Sequence, residues 1–244
     1  MGPAAPIAFF LVFHQPEDTA IALTAAELDR LAACLKTVRD LRRALIFTPD
    51  TTDDPYLDRA PPPALAIQLY FAEIAAMEAA LGGSSALHAL ADTAQFPSLA
   101  GAPATQQAML TRAFAVPDAA PTPPPGVAQC TYLVSYEGAA ENPHDWLTHY
   151  LRHHPPLMVR LPGVRAVEVY TRLDWCAALP WPRVAHLQRN KVVFNDGAAL
   201  RAALASPIRQ AMRADFHRLP PYRGPVRHDA MATVAVALDR VRGA

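Results

Sequence analysis

The chain has 244 residues, 52% of them hydrophobic and 18% charged, with 22 Lys and Arg balancing 22 Asp and Glu. That length allows one large domain or two of ordinary size, and the apolar content excludes a disordered chain. With no net charge and with its basic residues scattered, the chain has no electrostatic reason to partner nucleic acid or an anionic membrane surface.

In chain order, "MGPAAPIAFFLVFHQPED" carries no basic residue ahead of its apolar part and has a strand-like pattern, which argues against a signal peptide. Thr24 and Glu27 have capping-box spacing ahead of a helix in "LDRLAACLKTV". The tract "VPDAAPTPPPGVAQ", residues 116–129, has neither helical nor strand periodicity and reads as a stiff spacer. It divides the chain into residues 1–115, a linker over 116–128, and residues 129–244.

The second part opens with a strand, Cys130 to Tyr136, rich in β-branched and aromatic residues. Asn142 can cap the next helix, Pro143 suits its first position, and Asp145 favours its first turn. Gly163 ends that segment, and Val164 to Arg172 reads as a strand. Another, Arg183 to Phe194, follows a loop marked by Pro180 and Pro182. Ala198 to Ala205 is helical by propensity, Pro207 breaks it, and helix resumes towards Phe216. His228 to Leu238 gives the last strand.

Laid on each other, the two parts match at an offset of about 123 residues. "FFLVFH" (9–14) falls on "TYLVSY" (131–136), "RRALIFT" (42–48) on "RAVEVYT" (165–171), and "FAEIAAMEAAL" (71–81) on "FNDGAALRAAL" (194–204). Each part then runs strand, helix, strand, strand, helix, strand, the ferredoxin-like plan. The expected fold class is therefore α+β: two tandem ferredoxin-like βαββαβ repeats forming an intrachain dimeric α/β-barrel.

One residue stands out. On a helix over residues 146–161, Leu147, Tyr150, Leu151, His154, Leu157, Met158 and Leu161 form a single stripe. His154 lies inside it and should point into the layer between helix and sheet. Dry surroundings disfavour an imidazolium, leaving a neutral ring that can take a proton from an enol, a phenol or an acidic C–H. The same position also suits a core histidine bonded to a backbone carbonyl. Pro155 and Pro156 are expected to bend or loosen the helix beside it. His149 and His153 have ligand spacing, but no third ligand accompanies them, so no metal is expected. Tyr132 and Tyr136 share one sheet face, while Tyr170, His186 and His228 lie on strands whose facing is open. Asp174 and Trp175 are placed at the rim of an opening.

Other chemistries are absent from the sequence: no Gly-rich phosphate loop, Gly-x-Ser-x-Gly elbow, His-Glu-x-x-His or Cys-x-x-Cys occurs. Cys34, Cys130 and Cys176 fit no metal or redox spacing and read as reduced thiols of a cytoplasmic protein. No apolar run reaches the ~18 residues of a membrane span.

"HYLRHHPPLMVRLPGVRAVEVY", residues 149–170, resembles the signature of the EthD-like family of the dimeric α/β-barrel superfamily. The matching residues are His154, Pro156 and Leu157, then Leu161, Pro162 and Gly163. The resemblance covers residues 130 to about 236, and the first half looks like a diverged copy with Leu31 where His154 stands. It implies a pseudo-dimer, able to pair again as a homodimer of pseudo-dimers, and an enzyme that degrades or builds a small hydrophobic or aromatic molecule. Isomerase, cyclase and monooxygenase-type chemistry without a cofactor all occur among similar proteins. The expected catalytic residue is His154, with Tyr132, Tyr136, Tyr150, Tyr170 and His186 binding substrate. The alternative is a non-catalytic protein that holds a hydrophobic ligand, haem included.

Overall fold

The computed structural model describes residues 6–16, 20–52, 54, 61–117 and 124–238; part of the proline-rich tract lies outside them. β1 (Ile7–Phe13) is followed by α1 (Ala25–Lys36), β2 (Arg43–Pro49), β3 (Leu65–Phe71), α2 (Ile74–Ala80) and β4 (Ala104–Phe114). Then come β5 (Gln129–Tyr136), β6 (Ala139–Ala140), α3 (Pro143–Met158), β7 (Val164–Arg172) and β8 (Gln188–Phe194). α4 (Gly197–Leu204), α5 (Pro207–Phe216), β9 (Tyr222–Arg223) and β10 (Val226–Ala235) complete the order. Two short 3₁₀ segments, Ala86–Ala91 and Pro97–Leu99, lie between α2 and β4.

Eight strands form one closed antiparallel barrel in the order β1-β3-β2-β10-β5-β8-β7-β4. This corrects the expected fold class, because the chain does not adopt two tandem ferredoxin-like repeats. Two separate four-stranded sheets would each leave two strands with open edges. Here β2 pairs with β10, from Met231 opposite Pro49 to Ala235 opposite Leu45, and β4 pairs with β7, from Met109 opposite Arg172 to Phe114 opposite Val167. Closure removes every edge, and one ladder runs the whole way round.

Closure also explains the strand sequences. All seven residues of β1 are buried, because both faces of the wall are covered. Alternate residues point inward: Ala8, Phe10 and Val12 meet Phe47, Met109, Tyr170 and Met231 in the lumen. Phe9, Leu11 and Phe13 point outward under α1, α2 and the two 3₁₀ turns. On the other side Tyr132, Val134 and Tyr136 of β5 point out beneath α3 and α5.

The local signals hold with adjusted ends. Thr24 caps α1, its side chain accepting from the Glu27 N–H at 3.2 Å while Glu27 accepts the Thr24 N–H at 2.8 Å. Asn142 caps α3 by accepting from the His144 and Asp145 N–H groups. α3 runs on through Pro155 and Pro156 and ends at Met158, not Leu161. The strand expected from Arg183 starts only at Gln188, and the last strand ends at Ala235 rather than Leu238.

Two connections leave their own side of the barrel. Residues 173–187 cross to the outer face of β1, setting Trp175 edge-on to Phe9 and Trp181 edge-on to Phe13, each with centroids 5.6 Å apart. In the other direction, Asp54 after β2 reaches β5 and α5, where it accepts from the Tyr132 hydroxyl and from Arg209. Among the described residues no helix is long and apolar enough to cross a membrane.

Candidate active site between the helices and the barrel wall

α3 buries Trp146, Tyr150, His154 and Met158, a row at i, i+4 spacing. This row is narrower than the stripe expected from sequence: Leu147, Leu151 and Leu157 are only half-buried. Tyr150 stacks on Trp146 at 5.1 Å and on the His154 ring at 4.9 Å. His154 is thus held in place by an aromatic column, and is 7% exposed.

Its partner comes from α5. His154 Nδ1 lies 2.8 Å from Asp215 Oδ2, so the ring donates Nδ1–H to the carboxylate and leaves Nε2 as the free nitrogen. A core histidine bonded to a backbone carbonyl is therefore not what the chain builds. Burial pushes the Asp215 carboxyl up, but the hydrogen bond and charge of His154, then the charge of His149, outweigh it and hold the group below its ordinary value. His149 Nε2 stands 3.5 Å from the other carboxylate oxygen, so this residue joins the cluster. His153 is exposed, its ring 4.6 Å from that of His149. No group of three or more metal-ligating side chains is found among the described residues.

His154 opens onto a cavity of about 190 Å³. An apolar cavity of roughly 150 Å³ holds a benzene molecule, so this one has room for a substituted ring. Val134, Val192 and Phe194 form its floor on the barrel wall, and Leu200, Met212 and Phe216 form part of its roof. The polar lining consists of Tyr132, Tyr136, His154, Asn190, Arg209, Arg213, His217 and His228, with no carboxylate among them.

The carboxylates sit one layer back. Asp54 accepts from Tyr132 Oη at 2.5 Å and from Arg209 Nη2 at 2.8 Å. Tyr132 therefore contributes its ring to the cavity, while its hydroxyl is engaged. Tyr136 lies edge-on to Trp146 and Tyr150. Tyr150 backs His154 instead of lining the cavity, and its hydroxyl accepts from Asn190 Nδ2 at 2.7 Å.

Two expected binding residues are elsewhere. Tyr170 points into the lumen, where it donates to Glu168 and lies edge-on to Phe10. His186 accepts from Arg189 Nη2 at 3.1 Å, and burial together with the Arg189 charge pushes its pKa down to about 3. Neither lines the cavity. The cause is strand alternation: Glu168 and Tyr170 take the lumen side of β7, and His186 precedes β8 in the crossing connection. Asp174 and Trp175 line a separate open groove with Arg172 and Arg183.

His228, whose facing was open, is on the cavity side of β10, its ring 5.5 Å from that of Tyr132. Burial, then the Arg209 charge, lowers its pKa to about 4. Asp215, Arg209 and Asn190 were missed. The signal for Asp215 was present: Ile208, Met212 and Asp215 recur at spacings of four and three, a carboxylate in an apolar stripe just as His154 is an imidazole in one.

No family profile and no curated protein matches this sequence. Solved structures do match. An anthrone oxidase-like protein superposes with a TM-score of 0.65 at 10% identity, over 99% of this chain and 98% of that one. A presumed monooxygenase of Fusobacterium nucleatum subsp. nucleatum superposes with a TM-score of 0.54 at 10% identity, over 95% and 93%. An EthD family protein of Bacillus halodurans covers 41% of this chain at 17% identity, with a TM-score of 0.33 that carries no argument. At these identities the likeness is one of fold alone, shared along nearly the full length of the first two.

Proposed function

We propose that the chain is an enzyme acting on a small, largely apolar molecule, aromatic, lactone or polyketide-like, with His154 as the group that takes and returns a proton. The observation that carries this reading is the 2.8 Å contact between His154 Nδ1 and Asp215 at the wall of an apolar cavity. A carboxylate behind an imidazole fixes the Nδ1–H tautomer, presents Nε2 as the proton acceptor, and stabilises the imidazolium as it forms. Fold likeness to an anthrone oxidase-like protein and a presumed monooxygenase is in keeping with small-molecule chemistry in such a pocket. The EthD-level assignment, resting on His154, Pro156, Leu157 and the Leu161–Gly163 step, belongs to the same proposal.

The reading calls for no dissociable cofactor, since proton transfer at an acidic C–H or O–H needs only a base and a polarised oxygen. A cavity of about 190 Å³ favours a ligand the size of a substituted ring over a porphyrin. The catalytic groups come from residues 129–244, with Asp54 reaching in from outside that range.

Para-nitrophenol tests the base directly, because its ionisation is visible. Wild-type protein should convert bound phenol to phenolate at a pH where the free probe stays protonated. His154→Gln should keep the fold and lose that conversion. Equal conversion by the variant would overturn the assignment.

A further inference from the structure

The cationic groups of the cavity all come from one helix, and the chemistry above does not use them. Arg209, Met212, Arg213, Phe216 and His217 recur at spacings of three and four, so one face of α5 and its C-cap residue look into the cavity. The three basic residues among them stand four apart and form a ridge along that face. The ridge runs from the inside outwards. Arg209 is 9% exposed, while Arg213 and His217 line the same cavity as exposed residues and so mark its mouth.

Among the described residues no carboxylate lines the cavity beside them. Asp215 is engaged with His154, and Asp54 holds Arg209 by a 2.8 Å bond to Nη2. A ligand in the cavity therefore meets guanidinium groups directly and carboxylates only behind them. The field on the opposite wall has the same sign. At His228 on β10 burial disfavours a proton most, and the Arg209 cation adds to that by more than Asp54 takes back. Like charges four residues apart on a helix also repel each other, and an anion seated beside Arg209 and Arg213 relieves that repulsion.

We propose that α5 makes this cavity selective for a ring compound that carries a carboxylate, with Arg213 binding the acid group at the mouth and Arg209 adding its charge from the wall. This rests on the reading of the cavity as a substrate site and narrows the substrate. Size favours a carboxylate among anions. A cavity of roughly 150 Å³ holds benzene, and about 190 Å³ leaves room for the ring and a short planar group. A carboxylate is short and planar, and its two oxygens match the fork of a guanidinium. The apolar remainder of the molecule lies against Val134, Val192 and Phe194. Anchored at the mouth, the molecule enters with its uncharged end first, and that end meets the buried His154.

The test is isothermal titration calorimetry with 4-hydroxybenzoate and 4-hydroxybenzamide, two probes of nearly the same shape that differ in charge. Wild-type protein should bind the acid about 10-fold more tightly than the amide, because a charge-assisted hydrogen bond is about twice as strong as a neutral one. Arg213→Gln should bring the two probes to within about twofold of each other, chiefly by weakening the acid. Arg213→Lys keeps the charge without the fork and should keep part of the preference. Arg213 is exposed, so neither substitution opens the core. Equal binding of acid and amide by wild-type protein, or binding of neither, overturns the acid selectivity. A preference that survives whole in Arg213→Gln overturns the role of Arg213. Calorimetry does not depend on proton transfer, so the two readings fail separately. Ionisation of para-nitrophenol by a protein without acid preference overturns this inference alone. Acid preference without that ionisation overturns the catalytic role of His154 and leaves the binding assignment standing.

Discussion

Removing the lumenal carboxylate, Glu168→Gln, isolates one buried ammonium. Lys191 has no exposed surface, and its Nζ lies 3.1 Å from Glu168 Oε2 and 2.6 Å from the Tyr70 hydroxyl, with Gln68 Oε1 at 3.5 Å. Tyr70 and Tyr170 both donate to the same carboxylate, and Arg43 stands 3.6 Å from its other oxygen. Burial would raise the pKa of Glu168, but Lys191, the two tyrosines and Arg43 overcome it and bring the group down to about 2. Burial lowers Lys191 to about 8, with Glu168 opposing. With the carboxylate gone, the ammonium keeps only neutral partners. Breaking one side of a buried pair costs on the order of 3–5 kcal/mol, and urea unfolding at about pH 7 should show a loss of that size. The sign of its pH dependence follows from the lysine. In wild-type protein Lys191 is charged below about 8; in the variant it sheds its proton at lower pH. Between about pH 7 and pH 9 the deficit should therefore shrink by about 1 kcal/mol, one unit of pKa. Adding Lys191→Met removes the stranded charge, and the double variant should regain most of the loss. A deficit under about 1 kcal/mol, or a double variant no more stable than the single one, would refute the idea that this pair must be kept or lost together.

Three further outcomes are expected, two at the site and one at the α1 cap. Asp215→Asn should leave the fold intact and lower the fraction of bound para-nitrophenol that ionises, because the carboxylate that fixes the tautomer and stabilises the imidazolium is lost; the phenolate absorbance at fixed pH measures this. His228 has its folded pKa lowered from 6.5 to about 4, so it contributes stability above about pH 6.5 that is lost as pH falls towards 4, about 3 kcal/mol in all. Urea unfolding across that window should be steeper for wild-type protein than for His228→Gln, and equal slopes would contradict it. Thr24→Ala removes one arm of the α1 capping box and should cost about 1 kcal/mol, read as a lower Tm without change in cavity binding.

Much of the local structure was legible in the sequence because it depends on neighbours in sequence. The Thr24–Glu27 box, the Asn142 cap with Pro143 behind it, and the alternating strand around Tyr132–Tyr136 are all set within a few residues. Chain closure is different. Nothing local in β2 or β10 states that Thr48 will face Ala232 across a ladder, since the two residues are 184 positions apart in the chain. Read strand by strand, the pattern suggested paired repeats; only the complete register of β2 with β10 and β4 with β7 makes a single barrel. The continuous burial of β1 held the clue, because a sheet with one open face would have shown polar alternation.

The site shows the same division between local and distant information, and it accounts for the cavity lying on one side of the barrel. Under α1, Leu31 takes the inward position and is fully buried, packed with Phe96, Leu87, Leu90 and Leu99 from the 3₁₀ turns and with Trp175, Leu179 and Trp181 from the connection that crosses over. That face is filled with side chains. Under α3 and α5 the inward positions go to His154 and Asp215, a pair that must keep each other's hydrogen-bonding demands satisfied before either can be buried. The connection that crosses to this side brings Asp54 rather than tryptophans, and uses it to anchor Arg209 at the cavity wall. Two apolar stripes, each interrupted by one titratable residue, thus predict their own contact: an imidazole and a carboxylate buried on neighbouring helices are stable only if they meet. The sequence offered both interruptions, at 154 and at 215, and recognising the second as the counterpart of the first would have located the site without the fold.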